Sequence, residues 1–308
     1  MKPQYMNINR IEFIVTWQCG GGCKHCQIGS EINKRGTHSH VIAKHAAEAV
    51  KNLASVFDIT SVMTFGGEPL YYADVTATIH KAATDSGVAK RQIITNGYFT
   101  NRPEKSKSVA ETLAVAGVNS LLLSVDAFHQ ERIPIEPVRR FAQDVANAKI
   151  PGAVIYPAWL VDASHENPYN ARTRELLAQF EGILPISGYE NQIAPLGDAA
   201  KWLREYYEQT ELDISSHTAC SEPLMVTNIS IVPNGDMMVC GFAIGNIYEE
   251  DALDIVARYN PHEHEGLRAV VEGGVSGLLE YAKRRGIEVS PADYCDICGL
   301  CEAVARKL

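Results

Sequence analysis

Eight cysteines fall in two groups in this 308-residue chain, and their spacing decides what they can do. The first group is Cys19, Cys23 and Cys26, spaced C-x3-C-x2-C in the glycine-rich run Cys19-Gly20-Gly21-Gly22-Cys23-Lys24-His25-Cys26. The second is Cys220, Cys240, Cys295, Cys298 and Cys301. Closely spaced thiolates are soft ligands suited to zinc or to iron–sulfur clusters. A structural zinc site closes with four protein ligands, whereas three thiols leave one metal position open for a substrate. The first group lies just after the apolar run Ile11–Val15, so it reads as a strand followed by a loop that presents three thiols to one place. The composition sets bounds on the rest. Hydrophobic residues at 46% and charged residues at 21% describe an ordinary globular protein with a substantial core. A net charge of -9 argues against nucleic acid as a partner. No apolar run is long enough for a membrane span, and Met1-Lys2-Pro3-Gln4-Tyr5 opens without a secretory signal, so the expected location is cytoplasmic. In that compartment disulfides are rare, and clustered thiols point to metal binding or catalysis.

The elements that must hold these residues follow an alternating pattern. Short apolar runs at 10–16, 60–65, 91–95, 119–125, 152–158 and 189–194 are the expected strands. Between the first two, Ile42, Ala46, Ala49, Leu53 and Val56 recur at helical spacing. Further helices are expected at about 72–86, 103–116 and 168–181, and one starting at Pro134 with Val138, Phe141 and Val145 on one face. Six strand–helix units imply a mainly parallel α/β sheet, whose functional loops lie at the carboxyl ends of the strands. Polar motifs fall at those ends: Gly66-Gly67-Glu68-Pro69 after the second strand, Thr95-Asn96-Gly97 after the third and Ser124-Val125-Asp126 after the fourth. Tyr156 lies on the fifth. Further on, Asn228–Val232 and Met237–Cys240 alternate around Pro233-Asn234-Gly235-Asp236, a β-hairpin pattern. Helical segments at about 251–259, 264–272 and 276–286 lead to the last three cysteines.

The order and spacing of these motifs resemble the radical S-adenosylmethionine (SAM) enzymes. The resemblance tips the fold from an open doubly wound sheet to a partial (β/α)6 TIM barrel over residues 1–198. It implies that Cys19, Cys23 and Cys26 hold a 4Fe–4S cluster whose fourth iron is chelated by SAM. Gly66, Gly67, Glu68 and Pro69 resemble the motif that binds the SAM amino group, and Ser124 and Asp126 the pair that faces its ribose. Thr95 and Asn96 would border the SAM or substrate pocket, Tyr156 the adenine, and His25 stands where the family usually has an aromatic ring. In relatives, Asp198 is often an arginine.

The pattern C-x14-G-x4-C from Cys220 to Cys240 resembles the opening of the twitch and SPASM extensions, here a small hairpin-plus-helices iron–sulfur domain over 199–308. That resemblance implies one auxiliary 4Fe–4S cluster, with Cys220, Cys240, Cys295 and Cys298 as first choice. Cys301 would replace either neighbour or serve as a hydrogen-atom donor. The implied chemistry is reductive cleavage of SAM to a 5′-deoxyadenosyl radical that abstracts a substrate hydrogen. The expected substrate is a ribosomally synthesised peptide, or alternatively a small molecule, with electrons from a flavodoxin or ferredoxin and with neither nucleic acid nor membrane as partner. Residues Tyr5 to Arg10 lead straight into the first strand, with no room before them for a peptide-recognition domain.

Overall fold

A computed structural model describes residues 4–27, 40–207, 212–294 and 296–308. Strand β1 (Met6–Thr16) alternates buried and exposed side chains, turning Ile8, Ile11, Phe13 and Val15 into the core. Helix α1 (Ala43–Val56) buries Ala46, Ala49, Val50 and Leu53 along one face, as the helical spacing predicts. The alternation continues with β2 (Ser61–Gly66), α2 (Ala73–Asp85), β3 (Lys90–Thr95), α3 (Pro103–Val115) and β4 (Ser120–Leu123). It runs on through the short α4 (Ala127–Gln130), then α5 (Ile135–Asn147) and β5 (Ala153–Ile155). Pro134 is the N-cap of α5 rather than its first helical residue, and Val138, Phe141, Ala142 and Val145 form its buried face. β1 to β5 pair in parallel and in order, so the motifs that follow them gather at one end of the sheet.

The last two expected strands are shorter than their apolar runs. The run at 152–158 divides at Pro157 into β5 and β6 (Ala158–Trp159), because proline interrupts the ladder. The run at 189–194 contributes only β7 (Asn191–Gln192), which pairs with β6 apart from the main sheet. The parallel strands therefore curve into a partial barrel that stays open. Between β6 and β7 lies α6 (Pro168–Leu177), and α7 (Asp198–Trp202) follows.

The C-terminal third joins the same sheet. Strand β8 (Val226–Ile231) lies parallel to β1, from Met6 opposite Val226 to Phe13 opposite Ile231. β9 (Asp236–Val239) and β10 (Phe242–Asn246) extend it antiparallel, giving the order β10-β9-β8-β1-β2-β3-β4-β5. The expected two-strand hairpin is thus a three-strand meander. The extra strand was hidden because Cys240-Gly241 forms a two-residue turn with both φ angles positive, the geometry that joins adjacent antiparallel strands. One hydrophobic core holds Ile11, Phe13 and Leu53 together with Ile229, Met237, Val256 and Leu278. Helices α8 (Ala252–Ala257), α9 (Glu265–Arg284) and α10 (Ile297–Ala305) cover this side. α9 breaks at Gly274, whose positive φ lets the backbone carbonyl of His217 come close, so the two helices expected here meet end to end. Among the described residues no helix is long and apolar enough to cross a membrane.

Candidate SAM and iron–sulfur site

The loop after β1 carries the first three thiols. An added Cβ on Gly21 would stand 3.1 Å from the Cys23 sulfur and 3.4 Å from that of Cys19, so the glycine leaves room for two sulfurs to converge. The Gly21 N–H donates to Cys19 Sγ at 3.3 Å, and Asn96 Nδ2 approaches the same sulfur at 3.7 Å. Burial pushes the Cys19 thiol up to about 11 and the Cys23 thiol well above its ordinary range. Neighbouring acids add to the effect, Glu68 on Cys19 and Asp126 on Cys23, as do the thiols on one another. Buried thiolates crowded among acids are costly without positive charge, and a cationic metal centre supplies that charge. The donor set therefore fits a soft-metal cluster.

Glu68 is fully buried. Its Oε1 accepts from the Leu70 N–H at 2.9 Å and the Thr95 hydroxyl at 2.6 Å, and its Oε2 accepts from the Asn96 N–H at 2.9 Å. Burial nevertheless raises its pKa to about 7, because three neutral donors do not replace the lost hydration. An ammonium group placed beside it would restore the ionised form. The two glycines before it serve packing. Gly67 crosses the end of β1 so tightly that a Cβ would lie 2.1 Å from the Gln18 carbonyl oxygen. At Gly66, φ is +132° and a Cβ would meet the Thr16 oxygen at 2.7 Å. Backbone bonds from Gly67 to Thr16 and from Glu68 to Gln18 fasten the carboxylate loop to the cysteine loop. Pro69 is buried at the start of the short 3-10 turn Pro69–Tyr72, which Glu68 caps. Asn96 thus connects both loops, through its N–H to Glu68 and its side chain to Cys19.

Asp126 caps α4. Its Oδ1 accepts from the N–H groups of Phe128 and His129, and its Oδ2 from His129 Nδ1 at 2.8 Å and the Ala158 N–H at 3.1 Å. All four contacts are internal to the chain. The His129 ring and these donors outweigh burial and hold the Asp126 carboxyl well below the usual carboxylate range. Ser124 is buried beside it, its N–H donating to the Thr95 carbonyl. Tyr156 follows β5, its N–H donating to the Leu123 carbonyl. His25 packs on Phe128 with ring centroids 5.0 Å apart and meets His129 edge-on at 4.7 Å. Desolvation lowers the His25 pKa to about 4. The meeting of His25 and His129 depends on how α4 packs on the cysteine loop, which no spacing along the chain displays. Lys24 secures that packing through Glu131 at 3.0 Å and Tyr169 at 3.3 Å. On the opposite side Gly197, with φ +57°, lies against the Cys26 carbonyl, which accepts from the Asp198 N–H at 2.9 Å.

The second group gathers elsewhere. Cys240 occupies the tip of the β9–β10 turn, and Cys298 and Cys301 share one face of α10 at i, i+3 spacing. Gly241 allows the turn to rest on Glu302 and Ala305 of α10. Burial and the charges of Cys220, Glu222, Cys298 and Cys301 push the Cys240 thiol up to about 12. Burial followed by Cys298 and Cys220 raises Cys301 to about 11. These four thiols are near enough to act on one another. Cys295 lies outside the described residues. Asp296 caps the helix that carries Cys298 and Cys301, its carboxylate accepting from the Gly299 N–H.

Residues 13–152 match the model of the radical SAM superfamily. That stretch is the part of the chain that is similar to the radical SAM superfamily. The GTP 3′,8-cyclase of Desulforamulus reducens is 26% identical over 125 residues, which are 41% of this chain and 36% of that protein. The GTP 3′,8-cyclase of Lactiplantibacillus plantarum is 25% identical over 122 residues, 40% of this chain and 35% of that one. The chain therefore spans about a third of the length of the curated relatives it matches. Among solved structures, BtrN in complex with AdoMet and 2-DOIA is 14% identical with a TM-score of 0.48, covering 90% of this chain and 91% of that one. Native anSMEcpe with bound AdoMet is also 14% identical, with a TM-score of 0.49, covering 95% and 88%.

Proposed function

We propose that this radical SAM enzyme holds a 4Fe–4S cluster on Cys19, Cys23 and Cys26 and a second on the C-terminal thiols, and that it oxidises a ribosomally made peptide. The observation that carries the first part is the connection from Cys19 through Asn96 to the buried Glu68, which places a cation-seeking carboxylate next to the thiols. When bound, the cluster and SAM supply an electron transfer that yields the 5′-deoxyadenosyl radical, and cofactor chemistry does the bond breaking. The chain binds and orients. Glu68 holds the SAM ammonium group, Ser124 serves the ribose, and Asp126, with all its contacts inside the chain, shapes the loop behind them. Thr95 fixes the Glu68 carboxylate, and Tyr156 borders the adenine.

Among the described residues, Cys220, Cys240, Cys298 and Cys301 are the C-terminal thiols that act on one another, and in this reading they hold the second cluster. Cys301 is then a ligand rather than a hydrogen donor. That favours an electron-accepting second cluster and net oxidation over epimerisation. The peptide reading rests on the likeness of the C-terminal cysteine pattern to twitch and SPASM enzymes. A small-molecule substrate is the second reading, favoured by the GTP 3′,8-cyclase relatives. The test is anaerobic incubation of reconstituted enzyme with SAM, a strong reductant and a peptide encoded beside the gene. Formation of 5′-deoxyadenosine together with a peptide mass loss of about two hydrogens supports the whole reading. Formation of 5′-deoxyadenosine with unchanged peptide moves the substrate to the small-molecule class, and its absence overturns the SAM assignment.

A further inference from the structure

Behind the thiol loop, one set of side chains has a geometry that a 4Fe–4S cluster does not use. Cys23 Sγ and one ring nitrogen each of His25 and His129 lie within 4.8 Å of one another. Two observations point this set toward a ligand. His25 Nδ1 is buried with no hydrogen-bond partner, an orphan polar atom in a dry place. His129 Nδ1 is bound to Asp126 Oδ2 at 2.8 Å, and a carboxylate at that position can only accept. The proton of neutral His129 therefore sits on Nδ1, and Nε2 presents a lone pair. A carboxylate behind an imidazole whose other nitrogen is open is the arrangement that orients histidine toward a metal. One sulfur and two imidazole nitrogens are a three-ligand donor set of the kind that zinc or ferrous iron takes with one position left open.

We infer that the cluster-free protein binds one divalent transition-metal ion on Cys23, His25 and His129, with Asp126 holding His129 in its ligating tautomer. Binding releases the Cys23 thiol proton and involves no electron transfer. Cys23 cannot serve this ion and a cluster together, so the two occupants exclude each other. The site acts as a gate on cluster loading: zinc there blocks assembly until it is removed. This inference stands apart from the SAM reading, since it requires neither Cys19 nor Cys26.

The experiment uses the full chain, stripped of metal under anaerobic conditions and titrated with cobalt(II), whose thiolate charge-transfer and ligand-field bands report sulfur ligation and tetrahedral geometry. The C-terminal thiols take up the probe as well, so the readout is a difference between variants of unchanged circular dichroism. His129→Ala is expected to lose one cobalt equivalent, while Cys19→Ala and Cys26→Ala keep it. Asp126→Asn preserves the helix cap but turns an amide N–H toward His129 Nδ1, which drives the ring proton to Nε2. Its cobalt affinity at this site is expected to fall about 10- to 100-fold. Zinc added before iron and sulfide should suppress cluster assembly at the first site in wild type and not in His129→Ala. Retention of the full equivalent by His129→Ala overturns the proposal, as does an equal loss in Cys19→Ala, which would mean the three thiols bind the ion by themselves. Loss of SAM cleavage in Cys26→Ala with cobalt binding intact would separate this site from the cluster.

Discussion

The two cysteine groups of this protein are held by different means. Cys19 and Cys23 lie in a loop fastened on three sides: by Gly67 and Glu68 from β2, by Asn96 from β3, and by Lys24 to Glu131 beyond β4. Cys240 and Cys298 are exposed, and their group rests on one turn and one helix face. Both groups face carboxylates, but the first faces Glu68 and Asp126, which are fully buried, and the second faces the exposed Glu222 and the part-buried Asp296. The difference teaches what each site needs. A centre that must bind a charged substrate and exclude water is built into the strand ends of the barrel. The second group, on the function proposed above, would only exchange electrons, and its place at the margin of the sheet is compatible with that role.

The sharpest way to break this contrast is to remove the thiols. Changing Cys19, Cys23 and Cys26 together to alanine is expected to abolish 5′-deoxyadenosine formation, followed by chromatography after anaerobic reduction. Iron should fall from about eight to about four per chain. Cys240→Ala or Cys301→Ala should lower iron by the same amount from the other side while leaving uncoupled SAM cleavage in place. Full iron in Cys301→Ala would return that residue to the hydrogen-donor role and favour a redox-neutral reaction.

The positions of Cys19, Glu68 and Asp126 after successive strands were legible because each follows an apolar run at short spacing. The glycines of Gly66-Gly67-Glu68 also make room for Gln18 and Thr16. That close approach is a tertiary fact invisible in the motif. Likewise nothing in the alternating run Asn228–Val232 says that it will lie parallel to β1, since the pairing is set by which sheet edge remains free after five strands have packed. The third strand of the meander was missed for a local reason. A cysteine at positive φ is not a turn signal, and Cys240 holds that conformation with φ +49°.

A smaller effect tests the tightness of the first site. Gly67→Ala places a methyl group 2.1 Å from a backbone oxygen that cannot rotate away, so the two loops must separate. Stability is expected to fall by about 3 kcal/mol in denaturant unfolding, near the upper end for overpacking. The buried Glu68 contributes a pH dependence of known sign. Its folded pKa of about 7 lies above the ordinary 4.5, so the folded state holds a proton that the unfolded chain has lost. Metal-free protein should therefore lose stability as pH rises from about 4.5 to about 7, by up to roughly 3 kcal/mol, and change no further from this group above that. Glu68→Ala should remove that slope. An unchanged slope would mean that the three donors around the carboxylate keep it ionised throughout.

The smallest expected effect has the opposite sign and belongs to the second site. Cys240 and Gly241 hold φ angles of +49° and +83°, and the first is costly for any residue with a Cβ, least so for asparagine. Replacing Cys240 with asparagine supplies a residue that favours this turn and removes a thiol whose ionisation is opposed by its neighbours. Cys240→Asn should make the metal-free protein more stable by about 1 kcal/mol, while the reconstituted protein loses about four irons. A gain in stability coupled to a loss of iron identifies a residue kept in a strained conformation for what its sulfur binds. Loss of stability in the metal-free variant would instead make Cys240 a structural part of the turn, and the marginal placement of the second cluster would lose its main support.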